Sequence, residues 1–106
     1  MYSKLKSELR ECILEALTKM KIKYDEEIVF EEPPNPELGD ISTNIAFTLT
    51  KKMQKSPVEI AEQIKSHVKL PLYFNKVQTA GPYLNFFIDY TLFSTKMVNY
   101  IDRRYG

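Results

Sequence analysis

The chain has 106 residues, 43% of them hydrophobic and 27% charged, with a formal net charge of +1. That length suits one domain able to bury a core without disulfide or metal staples. No apolar run approaches the roughly 18 residues of a membrane span, and the near-neutral charge argues against a strong nucleic-acid binder.

The charged opening "MYSKLKSELRECILEAL" does not read as a signal peptide. Cys12 is the one cysteine, so a buried thiol in a reducing, cytoplasmic compartment is expected. Charge is spread unevenly. Residues 25–40 carry seven acidic groups and no basic one, whereas residues 51–76 carry six lysines against Glu59 and Glu62. Any phosphate contact therefore falls to the second region, and its affinity in isolation is expected to be modest.

Leu5, Leu9, Ile13, Leu17 and Met20 recur at helical spacing and predict an amphipathic helix over about 3–21, with Cys12 and Ala16 on the same side. "EIVF" predicts a short strand with Ile28 and Phe30 on one face. The acids around it, Asp25, Glu26, Glu27, Glu31 and Glu32, lack calcium-loop spacing and read as a solvated edge that discourages pairing with another chain. "EEPPNPELGD" is a loop, because its prolines rule out helix and ladder alike. Gly39 supplies a free φ there, and Asp40 is expected to cap a helix carrying Ile41, Ile45, Leu49 and Met53 and ending near Lys55.

"SPVE" restarts a helix, with Ser56 as N-cap, Pro57 at the first position, Glu59 closing a capping box, and Ile60, Ala61, Ile64 and Val68 inward. Pro71 ends it. "LYFNKVQTA" and "YLNFFIDY" predict a hairpin around Gly81-Pro82, a type II′ turn. Thr91 is expected to cap a last helix with Phe93, Met97, Tyr100 and Ile101 inward. The order helix, strand, helix, helix, strand, strand, helix implies an α+β two-layer sandwich, a small, mostly antiparallel sheet with helices packed on one face.

Catalytic constellations are scarce. His67, the single histidine, sits on a lysine-rich helical face without a cysteine or carboxylate partner at matching spacing, and reads as a solvated surface residue. One His and one Cys cannot build a zinc cluster, and the isolated glycines make no phosphate loop.

The hairpin carries the sharper signal. Leu84, Phe86 and Ile88 form one row, expected to be buried; Tyr83, Asn85, Phe87 and Asp89 form the other. An outward aromatic beside an outward asparagine suits single-stranded RNA, whose unstacked bases stack on rings and bond by their edges. Both are expected to be exposed. The competing reading is that Tyr83 and Phe87 merely cover an open sheet face.

"PPNPELGDISTNIAFTLTKKMQKSPVEIAEQI" followed by "KVQTAGPYLNFFID" resembles the N-terminal additional domain of arginyl-tRNA synthetases. The shared elements, in order, are Gly39-Asp40, Ser42/Asn44/Ala46, Lys51, Pro57/Glu59/Ile60/Ala61 and the hairpin from Ala80 to Phe86. The resemblance runs from about residue 3 to the end. It implies an α+β module set against the corner of the tRNA L, touching the D-loop. The hairpin aromatic and asparagine that recognise an exposed D-loop base in bacterial members match Tyr83 and Asn85 here. Some relatives have asparagine where this chain has Ala80, so a third side-chain contact there is not carried over.

Lys51, Lys52 and Lys55 are candidate backbone contacts by charge alone. Gly39, Asp40, Asn44, Gly81 and Pro82 are assigned structural roles, Asn44 holding the proline-rich loop by hydrogen bonds. The family's HIGH-type and KMSK-type motifs do not occur, so the chain is expected to be one non-catalytic domain, 1–106, of a larger arginine-tRNA ligase. The implied partners are tRNA and that enzyme's catalytic domain, with no DNA and no membrane. No cofactor is expected in this domain, and ATP belongs to the parent enzyme by resemblance. The alternative is a structural domain that packs on the synthetase body with little RNA contact.

Overall fold

The computed structural model describes residues 2–91. Its elements are α1 (Tyr2–Lys19), β1 (Ile41–Thr43), α2 (Ile45–Thr48), α3 (Thr50–Met53), α4 (Pro57–His67), β2 (Phe74–Ala80) and β3 (Tyr83–Ile88), with a 3-10 turn at Pro36–Leu38. The sheet is antiparallel in the order β1-β3-β2. This is the α+β arrangement expected. Helix α4 lies on β2 and β3, α1 packs on α4, and α2 closes the same side.

The core sits between these layers. Leu5, Leu9, Ile13, Ala16 and Leu17 of α1 meet Ile60, Ala61 and Ile64 of α4, and below them Ile41, Phe74, Leu84, Phe86 and Ile88 of the sheet. Phe74 meets Phe86 edge to face, ring centres 6.3 Å apart, the arrangement the ring quadrupoles favour. Cys12 is buried, its Sγ donating to the Lys69 carbonyl at 2.9 Å, and burial pushes the thiol's pKa above its ordinary value. Ser56 caps α4, accepting from Glu59 N at 3.2 Å, although the Glu59 carboxylate does not return the bond. Gly81 has φ +59° and opens the two-residue turn, as the hairpin requires.

Four expectations are corrected. Ile41 does not begin a helix: Ile41–Thr43 pair with Phe86, Asn85 and Leu84, and the helical turns start at Ile45. The spacing of Ile41, Ile45, Leu49 and Met53 suits a helix, but β3 has an open edge whose backbone groups need partners. The β-branched Ile41 and Thr43 meet that need with their side chains turned into the core. Asp40 therefore caps nothing. Its backbone N donates to Phe86 O at 2.9 Å, its Oδ2 accepts from Ile88 N at 2.9 Å, and its Oδ1 accepts from the Tyr90 hydroxyl.

The strand expected around Ile28 and Phe30 is reduced to one bridge, Glu31 to Ser42, because the prolines that follow cannot extend a ladder. Ile28 is nonetheless buried, as its spacing implied. At the end of the hairpin the backbone is already helical at Tyr90 and Thr91, and Asp89, not Thr91, provides the cap: its Oδ1 accepts from Thr91 N at 3.1 Å. The inward row Phe93, Met97, Tyr100 and Ile101 lies outside the described residues.

Candidate functional site

Strand alternation sends Tyr83, Asn85 and Phe87 to the face away from the helices. Lys76 lies opposite Phe87, its Nζ 4.6 Å from the ring centre. Tyr83 stands beside the turn and keeps 39% of its surface exposed. Asn85 does not match the expectation of exposure. It points outward, yet only 6% of it is accessible.

The proline-rich loop is the cause. Residues 31–39 cross the outer face of the sheet and lie over Asn85. Gly39 makes the close approach possible: its φ is +106°, and a Cβ built there would stand 3.1 Å from Asn85 Cβ and 3.2 Å from Phe86 O. Any other residue would be strained and would press on the strand. Two anchors hold the loop. At its start Glu31 and Ser42 exchange backbone bonds, both 2.8 Å. At its end Asp40 fastens to β3 as described. Asn35 shapes the middle, its Oδ1 accepting from Glu37 N at 3.0 Å.

Loop and hairpin enclose a cleft of about 330 Å³. Pro33, Pro34 and Leu38 form one wall, Tyr83 and Ala80 the other, and Ser42, Asn85 and Glu31 supply the polar groups. Such a cleft, apolar with few polar groups, is the usual form of a small-ligand site. Among the described residues, neither the Asn85 amide nor the Ser42 hydroxyl has a protein hydrogen-bond partner, although Ser42 is only 5% exposed. Their polar atoms are not sealed off: both side chains line the cleft, where solvent or a ligand can reach them. The cleft thus offers a flat ring, apolar walls and uncommitted donors and acceptors.

Other expected residues lie elsewhere. Asn44 is exposed and its side chain makes no bond to the loop, so Asp40, Gly39 and the Glu31–Ser42 bridge do what was assigned to it. Pro82 serves the turn. Lys51 and Lys52 lie on α3 and Lys55 just beyond, all exposed, with no carboxylate within ion-pair distance among the described residues. Lys52 Nζ donates to the Lys23 carbonyl. Lys52 and Lys55, together with Lys21 and Lys23 from the turn after α1, line a second cleft of about 400 Å³ that holds no acidic residue. It shares no residue with the hairpin cleft. Lys21 and Lys23 were missed in the sequence because they lie far from the other lysines along the chain. Ser42, Glu31 and the proline wall were missed because only tertiary packing brings them to Asn85. His67 is exposed, its Nδ1 2.8 Å from the Gln63 carbonyl.

Residues 7–88 match the family described as "Arginyl tRNA synthetase N terminal domain". The chain belongs to this family. It is 69% identical over its whole length to an arginine–tRNA ligase of Methanosphaera stadtmanae and 41% identical to that of Methanothermobacter thermautotrophicus, covering 19% of each. The chain therefore spans about a fifth of the length of these curated relatives. Among solved structures, arginyl-tRNA synthetase of Thermus thermophilus superposes with a TM-score of 0.70 at 27% identity, over 83% of this chain and 14% of that one. The Plasmodium falciparum synthetase superposes with a TM-score of 0.69 at 16% identity, a likeness of fold. Among the described residues of this synthetase N-terminal domain no helix is long and apolar enough to cross a membrane.

Proposed function

We propose that this domain is the tRNA-positioning accessory module of a cytoplasmic arginyl-tRNA synthetase, and that the hairpin cleft receives an exposed D-loop base. Tyr83 stacks on the base, Asn85 bonds to its edge, and Lys51, Lys52 and Lys55 attract backbone phosphates. The observation that carries the reading is the pairing of a half-open tyrosine ring with a covered, unpartnered asparagine in one apolar cleft. Stacking supplies affinity with little regard to sequence, and a side-chain amide, with both donors and an acceptor, supplies discrimination. Arginine and ATP belong to the catalytic domain of the parent enzyme in this reading, and this domain contributes binding and orientation but no chemical step.

The test is arginylation efficiency by the full synthetase on tRNAs that differ only at the exposed D-loop base. Asn85→Ala is expected to erase the ranking among them. Lys51→Ala and Lys52→Ala are expected to weaken all of them alike and to flatten the salt dependence, as phosphate contacts do. Unchanged ranking and rate for Asn85→Ala would favour a second reading, a domain that packs on the synthetase body. That reading draws on Phe47 and Val58, exposed to 60% and 52% on α2 and α4.

A further inference from the structure

The strand registers reveal an arrangement that the hairpin alone does not. Asn85 pairs with Gln78 on one side and with Ser42 on the other, and Ser42 pairs with Glu31. Residues directly opposite each other in antiparallel pairs point to the same face. Gln78, Asn85, Ser42 and Glu31 therefore form one polar row straight across the outer face. Neighbouring strands lie about 4.8 Å apart, so each step along the row, from Asn85 to Ser42 or from Ser42 to Glu31, is about the width of one base edge.

The members of this row differ in chemistry. Asn85 and Ser42 can each donate and accept, whereas an ionised carboxylate only accepts. Among the described residues Glu31 is also the sole charged residue lining the cleft. The neighbouring Glu32 is engaged by Lys6 at 3.6 Å, but Glu31 has no cation or donor on its side chain among the described residues. A carboxylate here opposes phosphates, so the ligand enters base first with its backbone outside.

We propose that Glu31 is a specificity-determining residue of the cleft, selecting a nucleobase that bears an exocyclic amino group over uracil. The inference rests on the base-binding reading above. An amino group donates to Glu31, while the ring nitrogen beside it accepts from Asn85 or Ser42. Uracil's one donor on that edge, N3–H, is flanked by two carbonyls, so presenting it to Glu31 brings a carbonyl oxygen against the carboxylate as well. The uncharged, isosteric glutamine removes this bias, because its amide can donate to a carbonyl.

The experiment uses the full-length synthetase and four tRNAs that differ only in the exposed D-loop base. Wild type is expected to favour the amine-bearing bases over uracil, and Glu31→Gln to compress that preference by about tenfold. Because the Glu31 side chain is exposed and its backbone makes the bridge, the variant is expected to keep the wild-type unfolding midpoint. A wild-type preference for uracil, or a Glu31→Gln ranking identical to wild type, would overturn the assignment. Tyr83→Ala separates the two claims. If it lowers efficiency on all four tRNAs while Glu31→Gln keeps the ranking, only the role of Glu31 fails. If Tyr83→Ala changes nothing on any of them, base binding itself fails and the role of Glu31 falls with it.

Discussion

Within β3 the inner row and Asn85 of the outer row lose nearly the same amount of water contact, whereas Tyr83, at the open end of the outer row, keeps 39% of its surface exposed. Leu84, Phe86 and Ile88 are 0%, 0% and 5% exposed, and Asn85 between them is 6% exposed. The inner row is covered by α4, α2 and the neighbouring strands, and its side chains are wholly apolar, although the Thr43 hydroxyl opposite Leu84 is buried there without a partner. The outer row is covered by a single loop, and beneath that loop lie an amide and a hydroxyl that no protein group satisfies. Burial of the first kind stabilises the domain. The second kind leaves the polar atoms of Asn85 and Ser42 facing the cleft, where water or a ligand can supply the bonds.

Substitutions can break this contrast from either side. The largest effect belongs to the inner row: Phe86→Ala is expected to destabilise the domain by about 3–5 kcal/mol in chemical unfolding, since it loses transfer energy and leaves a cavity beside Phe74. A loss below about 1 kcal/mol would mean the row is not the core. Gly39→Ala acts where loop and outer row meet. A left-handed φ forced on alanine, together with a Cβ pressed against Asn85, is expected to cost about 1–3 kcal/mol. Wild-type stability in this variant would show that the loop does not lie as described. Tyr83→Ala belongs wholly to the outer row. It is expected to remove about 1–3 kcal/mol of RNA binding while leaving the unfolding midpoint nearly unmoved. A large drop in that midpoint would place Tyr83 with the core instead. Ser56→Ala is the smallest change, about 0.5–2 kcal/mol of stability from a lost helix cap. RNA affinity should not follow it, and a parallel loss of binding would mean that general destabilisation mimics site effects.

Much of the inner layer was legible in the sequence, because periodicity reports which side of an element meets the core. The stripes of α1 and α4, the Ser56 cap, the Gly81-Pro82 turn and the row Leu84, Phe86, Ile88 all follow from local spacing. Segment 41–53 was misread because spacing by four is ambiguous over a short run. Ile41 and Thr43 are strand residues by type, but only the open edge of β3 decides in their favour. Asp40 followed the same error, since a cap and a bridge to Ile88 look alike in sequence.

The outer site was legible in part. Alternation placed Tyr83 and Asn85 on one face, and the resemblance gave them a role. The cover over Asn85 has no local signature apart from Gly39, whose need for a positive φ says that the chain bends without saying what it bends over. The Glu31–Ser42 bridge is likewise a long-range pairing, and with it the polar row was invisible.

The central proposal is that Asn85 serves a ligand and not the fold. Chemical unfolding of the Asn85→Ala variant tests it most directly. An amide without a protein partner holds nothing together, so the account predicts a stability within about 0.5 kcal/mol of wild type, or above it. A loss of about 1–3 kcal/mol, the usual consequence of deleting a satisfied buried hydrogen-bonding group, would contradict it and assign Asn85 to the architecture.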